Sequence, residues 1–342
     1  MRPGSVLILR GDEIDALLTG HELEILEAVR QAYIIHGRGQ SSLPHSLFLR
    51  FPNDDLNRII ALPAYLGDGF DLAGMKWIAS FPGNLQQGLA RASAVLILNS
   101  ARTGLPEAIL ESSIISARRT AASAALAART FRQGQATPAA GFIGTGVINL
   151  ETVRFLSRAV PDIERFVLFD LDRERAAAFA DKARAVLPEG SKAEMVIASD
   201  QREVLRSCPL VAFATTAVKP YVSDLSDCAP GTTILHTSLR DFTPEVILAA
   251  DNVVDDVDHA VRASTSVHLA EQQVGHRAFL RGTLADILEG RAPAKANPDQ
   301  LTIFSPFGLG VLDLAVGQMA RSLALESGQG TVIESFLPTT GV

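Results

Sequence analysis

AAGFIGTGVINLETVRFLSR, residues 139–158, is the stretch that decides the fold. Its opening run, Ala139 to Ile143, is short and apolar, as a buried strand is. Gly144-Thr145-Gly146 follows, and a helical pattern begins at once. Val147, Leu150, Val153, Phe155 and Leu156 fall mainly on one face at helical spacing. A strand, a tight glycine turn and a helix start in this order present free backbone amides and the positive end of a helix dipole, which suit a pyrophosphate. The first glycine permits the turn, and the second lets backbone come close to the phosphates. Asn149 stands where the full dinucleotide fingerprint has glycine or alanine. Taken alone, the turn also reads as an ordinary strand-to-helix connection that uses glycine for its backbone freedom.

What lies downstream selects between the two readings. Strands are expected at 165–170, 194–198, 210–215, 233–237, 252–255 and 301–305. Helices are expected at 173–186, 201–207 and 244–249, and the stretch 260–290 reads as helical with a break near Gly282. Such alternation predicts right-handed crossovers and a Rossmann-type, doubly wound parallel sheet, an α/β fold. Asp170 ends the second strand. It lies near the spacing of about 20 residues at which an acid takes the adenosine ribose hydroxyls. A carboxylate there repels a 2′-phosphate and so favours NAD over NADP. The expected cofactor contacts are Gly144, Thr145, Gly146, Val147, Ile148 and Asp170, with Thr215 at the end of the fourth strand. A local role as helix cap is the competing reading of Asp170, one that Asp172 also fits.

Upstream, the texture differs. Short β-type segments at 5–9, 47–51, 57–62, 72–80, 93–99 and 106–110 are broken by Gly, Pro, Asn and Asp. Helices are expected at 13–18 and 22–36, so the pattern is α+β. An alanine-rich helix, 111–131, precedes QGQATP (133–138), the best linker candidate. A helix at 309–325 is placed to return to the first domain, and the tail after Ser327 reads as loop with a short apolar segment. The expected division is residues 1–130 with 311–342 for substrate binding and dimerisation, and 131–310 for NAD.

With 342 residues, 47% hydrophobic and 20% charged, the chain has material for two ordinary cores. A formal net charge of −7 disfavours nonspecific nucleic-acid binding. Two cysteines, Cys208 and Cys228, make neither a thiolate-rich metal site nor a secreted disulfide scaffold. The N-terminal apolar run is too short for a signal peptide, and no charge-free stretch of about 20 apolar residues exists. A cytoplasmic setting follows as the expectation.

Three residues outside the glycine turn are candidates for chemistry. Lys76 sits in GMKWIASFPGN, among apolar residues on a strand, where a lysine is costly unless paired or functional. Arg119 lies within the alanine-rich helix and could offer a bidentate fork to a carboxylate; a surface ion pair is the alternative, with one of Arg118 and Arg119 facing solvent. Asp241, in LRDFTPE, follows a strand at the sheet edge where α/β folds bind ligands, a natural place for an acid–base carboxylate and also for a helix cap. The seven histidines show no metal spacing, His236, His259 and His268 read as structural, and no metal is assigned. No GxSxG elbow is present.

GMKWIASFPGN, TGLPEAILESSIISARRTAASAALAA, GFIGTGVIN, LRDFTPE and FSPFGLGVLDLA together resemble the ornithine cyclodeaminase/μ-crystallin family of NAD(P)-dependent proteins. LPHSLFLRFP, RIIALPAYLG, RASAVLILN and SPFGLGVLDLA are similar to the branch that oxidatively cleaves N-(2-amino-2-carboxyethyl)-L-glutamate, for siderophore and peptide-antibiotic synthesis. The resemblance implies Lys76 as the active-site lysine, Asp241 as the acid–base group and Arg119 as a substrate-carboxylate ligand. It also implies a homodimer formed through the N-terminal domain. Cyclodeaminases usually carry a further arginine soon after an early proline. Here Pro44 is followed by His45 and Ser46, and Arg50 and Arg58 are the nearby candidates. That departure points away from ornithine toward a differently shaped amino-acid substrate.

Overall fold

The computed structural model describes Arg2 and residues 4–338, apart from the side chain of Asp55. The chain forms two compact units, one running to Arg119 and resuming at Leu309, the other Thr120–Gly308. The division falls inside the alanine-rich helix, where no change of composition marks it.

The first unit opens with β1 (Val6–Leu9), α1 (Gly11–Leu18) and α2 (Glu22–Gly37). Strands β2 (Ser41–Ser42), β3 (Leu47–Phe51), β4 (Asp54–Leu66) and β5 (Leu72–Ser80) follow, then a 3₁₀ turn at Pro82–Gln87. Strands β6 (Ala92–Ser100) and β7 (Pro106–Glu111) lead into α3 (Ser113–Phe131). In the second unit β8 (Ala139–Ile143), α4 (Val147–Ala159), β9 (Arg165–Phe169), α5 (Arg173–Val186), β10 (Glu194–Ile197), α6 (Gln201–Ser207) and β11 (Leu210–Phe213) alternate. Then come β12 (Thr233–His236), α7 (Pro244–Ala249), β13 (Asp251–Val254), α8 (Val257–Ala260), α9 (Ser266–Val274), β14 (Leu280–Thr283), α10 (Leu284–Leu288) and β15 (Thr302–Ser305). Helix α11 (Gly310–Ser327) and strand β16 (Thr331–Ile333) belong to the first unit. No described helix is long and apolar enough to cross a membrane.

The second unit is the expected doubly wound sheet. Its order is β10-β9-β8-β11-β12-β15-β13-β14, with every neighbouring pair parallel. Strand order reverses between β8 and β11, and the glycine turn leaves β8 at that switch point, where such sheets bind ligands. Strand β8 is buried at all five positions, as a central parallel strand covered on both faces must be.

The first unit's sheet runs β16-β1-β7-β6-β5-β4-β2, with β3 also on β4. Among its described strands, only β1 and β7 pair in parallel. Its inner face carries Leu62, Ala64, Leu66, Leu72, Leu96 and Leu98, all buried. Helix α11 packs closely on this face. A Cβ built on Gly317 would lie 2.4 Å from Leu96 Cδ2, so glycine is what lets the helix approach.

Two regions depart from the sequence reading. Residues 260–290 are not helical throughout: β14 interrupts them as an edge strand, and Thr283 then caps α10 in a box with Asp286. A four-residue strand against one neighbour is too short to print a period of two. The tail contains β16, whose three residues are exposed and pair antiparallel with β1. Backbone pairing, to which sequence pattern is blind, holds it there.

Candidate active site

Lys76 lies at the middle of β5, opposite Leu62 on β4 and Leu96 on β6, so strand alternation turns it to the inner face. It is 2% exposed. Its Nζ donates to Ser116 Oγ at 3.0 Å and to Asp313 Oδ1 at 3.0 Å, and it lies 2.8 Å from Asp313 Oδ2. Burial pushes the Lys76 ammonium down to about 8; neighbouring Arg119 pushes the same way, and Asp313 opposes both. Arg119 Nε also donates to Asp313 Oδ1, at 3.1 Å. Two cations thus share one fully buried carboxylate, which leaves a surplus positive charge when all three are ionised. That arrangement suits one incoming carboxylate.

Arg118 does not face solvent. It is 1% exposed and its guanidinium donates to Asp15 Oδ1 at 2.5 Å and Thr19 Oγ1 at 3.1 Å, tying α3 to α1. Arg50 and Arg58 stand directly opposite one another on β3 and β4. Arg50 is exposed, its guanidinium 5.8 Å from the Phe48 ring centroid. Neither is a hydrogen-bond partner of Lys76, whose polar neighbours are Ser116 and Asp313.

In the second unit the glycine turn has the chemistry of a phosphate cradle. Gly144 has φ +88°, and a Cβ there would sit 2.6 Å from Ala214 O, so the turn tolerates no side chain. Gly146 is different. Its φ is −95°, and a Cβ would meet nothing within 4 Å. Nothing inside the protein demands glycine there, and the space it leaves fits a ligand approaching the backbone. The first bond of α4 runs from Leu150 N to Gly146 O, so the amides of Val147 and Ile148 lie ahead of the helical ladder. Asn149 is fully buried and donates to Ile143 O at 3.2 Å and Gly144 O at 2.6 Å, pinning the helix start to the strand end. Asp170 Oδ2 accepts from Thr145 N at 2.9 Å and Thr145 Oγ1 at 2.6 Å. Burial would raise the Asp170 carboxyl, but these donors, with Asp172 N, hold it below the usual carboxylate range.

Asp241 follows β12 and is completely buried. Oδ1 accepts from Thr215 Oγ1 at 2.5 Å, and Oδ2 accepts from Ser238 Oγ at 2.5 Å and lies 3.1 Å from His236 Nε2. Burial would raise its carboxyl; His236, Ser238 and Thr215 outweigh that and hold it ionised. Burial pushes His236 down, toward the neutral imidazole, and its Nδ1 lies 3.0 Å from Ser305 Oγ. Asp241 is therefore approached through side chains that reach toward solvent: the half-buried hydroxyls of Thr215 and Ser238, and the exposed Tyr221, whose phenol interacts with both Asp241 and Thr215 and is pushed up mainly by burial and then by Asp241. Each hydroxyl of Thr215 and Ser238 gives its proton to the carboxylate; Thr215 Oγ1 also accepts from Ala217 N at 3.1 Å, so Ser238 is the hydroxyl better placed to accept from a ligand. Leu239, two residues before Asp241, has φ +71°, a strained conformation for a leucine of the kind that clusters at functional sites.

Two participants escape sequence reading. Asp313 is an acid inside an apolar helix, GVLDLAVGQMA, and that mismatch was its signal. His236 was legible only as a core histidine, because its link to Asp241 comes from the turn between them. Thr215, expected among the cofactor contacts, donates to Asp241.

The sequence model of the Ornithine cyclodeaminase/mu-crystallin family matches residues 17–328. The chain is 26% identical over 337 residues to the N-((2S)-2-amino-2-carboxyethyl)-L-glutamate dehydrogenase of Staphylococcus aureus, covering 97% of this chain and 99% of that protein. A solved archaeal alanine dehydrogenase dimer with bound NAD is 26% identical, with a TM-score of 0.84 over 96% of this chain and 99% of that one. The fold also matches that of a Thermococcus litoralis Delta(1)-pyrroline-2-carboxylate reductase in complex with NADH and L-proline, at TM-score 0.87 and 24% identity over 95% of this chain and 99% of that one. With nearly its whole length matched, the chain belongs to the ornithine cyclodeaminase/μ-crystallin family.

Proposed function

We propose that the protein is an NAD-dependent oxidoreductase acting at the carbon–nitrogen bond of an amino acid. Its proposed substrate is N-(2-amino-2-carboxyethyl)-L-glutamate, which it cleaves with water to 2,3-diaminopropionate and 2-oxoglutarate. The observation that carries this reading is the buried Lys76–Asp313–Arg119 cluster with its one surplus positive charge. The Staphylococcus aureus relative, matched over almost the full length of both chains, supports the substrate.

Gly144, Thr145, Gly146, Val147 and Ile148 hold the pyrophosphate, and Asp170 takes the ribose hydroxyls. When bound, NAD⁺ supplies a hydride acceptor, so that the glutamate α-carbon and its nitrogen become an imine. Lys76 and Arg119 grip a substrate carboxylate, and Asp313 fixes both cations at the correct spacing. The oxygen of Ser238 accepts a hydrogen bond from the attacking water, with Asp241 as the base behind it. As water adds to the imine carbon, its proton passes to Asp241. The same proton then returns to the nitrogen as the carbon–nitrogen bond breaks, and His236 supports the charge on Asp241 throughout. The balance is substrate, NAD⁺ and water in; 2-oxoglutarate, 2,3-diaminopropionate, NADH and a proton out. Such a product suits siderophore or peptide-antibiotic assembly in the cytoplasm.

A homodimer completes the reading. Leu47, Ala61, Trp77 and Val95 form one row across four strands on the outer face of the first unit's sheet. Leu47 is 70% exposed, Val95 40% and Trp77 39%, and an apolar row of this kind suits an interface with a second copy.

The test is absorbance near 340 nm. Sustained NADH formation from the glutamate adduct, with 2-oxoglutarate released, is expected. Proline and ammonia from ornithine without NADH build-up would overturn the substrate assignment. An Asp241→Asn variant with unchanged turnover would sink the acid–base role, whereas a wild type that binds NAD and amino acid but turns over neither would leave a ligand-binding protein as the better reading.

A further inference from the structure

Asp241 lies in a turn whose shape is imposed from outside. Leu239 holds φ +71°, and the described backbone bonds of residues 239–242 run to other segments. Asp241 O accepts from Tyr221 N at 2.9 Å and from Val222 N at 2.8 Å. Leu239 O accepts from Ser266 N at 2.7 Å, and Phe242 N donates to Ser266 Oγ at 3.1 Å. A single residue thus closes on both flanks of the turn. Ser266 is fully buried and is the first residue of α9. An amide at that position has no acceptor within its own helix, so it can serve the turn.

The segment that presents Ser266 is strained as well. Ala263 and Ser264 have φ +53° and +54°, and Ala263 O accepts from the Arg240 guanidinium at 2.7 Å. Thr265 Oγ1 donates to Ala260 O at 2.6 Å and accepts from His268 N at 3.0 Å, which fixes the start of α9. Strained backbone persists only where its surroundings over-determine it. Here two strained segments brace each other beside one carboxylate. Asp241 Oδ2 meets Ser238 Oγ at 2.5 Å and His236 Nε2 at 3.1 Å together, an arrangement that a relaxed Leu239 would turn away. We infer that Ser266 is a positioning residue: its amide and hydroxyl hold the 239–242 turn so that Asp241 faces Ser238 and His236 at once. The inference rests on the acid–base role proposed above for Asp241, and it extends the working site to a residue that touches neither substrate nor cofactor.

Steady-state kinetics with the glutamate adduct compare the wild type with Ser266→Ala, Ser266→Cys and Ser266→Thr. Ser266→Ala leaves the buried Phe242 amide without its acceptor. Its kcat should fall about tenfold or more, while KM moves less than about twofold because Lys76 and Arg119 are untouched. Ser266→Thr keeps the hydroxyl and should restore most of the rate. Ser266→Cys, similar in size but a weaker acceptor, should fall between the two. A second readout needs no substrate: nuclear magnetic resonance of protein carrying isotope-labelled histidine, with His236 identified by its loss in His236→Gln. The wild type should show the two well-separated ring-nitrogen signals of a single neutral tautomer, its Nε2 proton directed at Asp241. Those signals should draw together in Ser266→Ala, and to a lesser degree in Ser266→Cys, as the contact loosens. A lower melting temperature with kcat and the His236 signals unchanged would overturn the inference and make Ser266 purely structural. A rise in KM at constant kcat would overturn it too. A wild type that gives no NADH from the adduct would reject the proposed reaction, and the His236 signals would then decide by themselves whether Ser266 holds Asp241 in place.

Discussion

Lys76 makes the sharpest residue-scale forecast. Its ammonium sits at about 8 in the folded protein against an ordinary 10.5. Between these values the unfolded chain binds the proton that the folded chain has shed, so stability should rise with pH through that window. Ligand binding should run the other way. A carboxylate needs the charged form, so substrate KM should climb about tenfold per pH unit above 8, seen in a pH series with the adduct. Asp313→Asn removes the carboxylate that supports the charge. The pH at which KM begins to climb should fall in that variant, and chemical denaturation should show a loss of about 3–5 kcal/mol, the cost of breaking a buried charge pair. A variant with the wild-type pH profile would refute the positioning role. Gly146→Ala gives a cleaner separation. Nothing within 4 Å opposes the new methyl, so the melting temperature should hold while NAD affinity falls tenfold or more.

Elements differ in how plainly the sequence announced them. Helix α4 and strand β8 were legible to the residue, because apolar spacing, glycine turn and helix start all agree there. Asp170 and Asp241 were legible as acids at strand ends. Their partners were not: Thr145 reaches Asp170 and His236 reaches Asp241 through turns whose geometry no periodicity encodes. Strands β14 and β16 were missed because each is short and sits at a sheet edge. Gly144→Ala tests the turn as an element. A positive φ and a 2.6 Å clash with Ala214 O should cost about 1–3 kcal/mol in urea unfolding, and NAD binding should fall with it. Gly317→Val probes the approach of α11 to β6. A branched side chain against Leu96 should displace the helix and its Asp313, so activity should fall together with stability; full activity in this variant would show that the close approach is dispensable.

For the whole molecule, the fold class followed from the order of strands and helices, and the α+β character of the first unit from its turn residues. The proposed dimer face could not be read from any one segment. Leu47, Ala61, Trp77 and Val95 are scattered in sequence, and only strand register makes them one row. Trp77→Glu places a charge in the middle of that row and should shift the protein to monomer in analytical ultracentrifugation, with the NAD site intact. A dimer that survives it would move the interface elsewhere.

Lys76 and Asp313 are 237 residues apart, and the whole second unit is spelled out between them. On the ribosome, Lys76 is therefore made long before the acid that will neutralise it. The second unit emerges with its chain complete and can fold at once. The first unit must wait for α11, and also for β16 to close against β1. A nascent chain thus carries an unmatched lysine on an uncovered sheet until synthesis nears its end. Premature termination before Asp313 would leave Lys76 without its counter-charge, and would make that sheet the surface a chaperone has to guard.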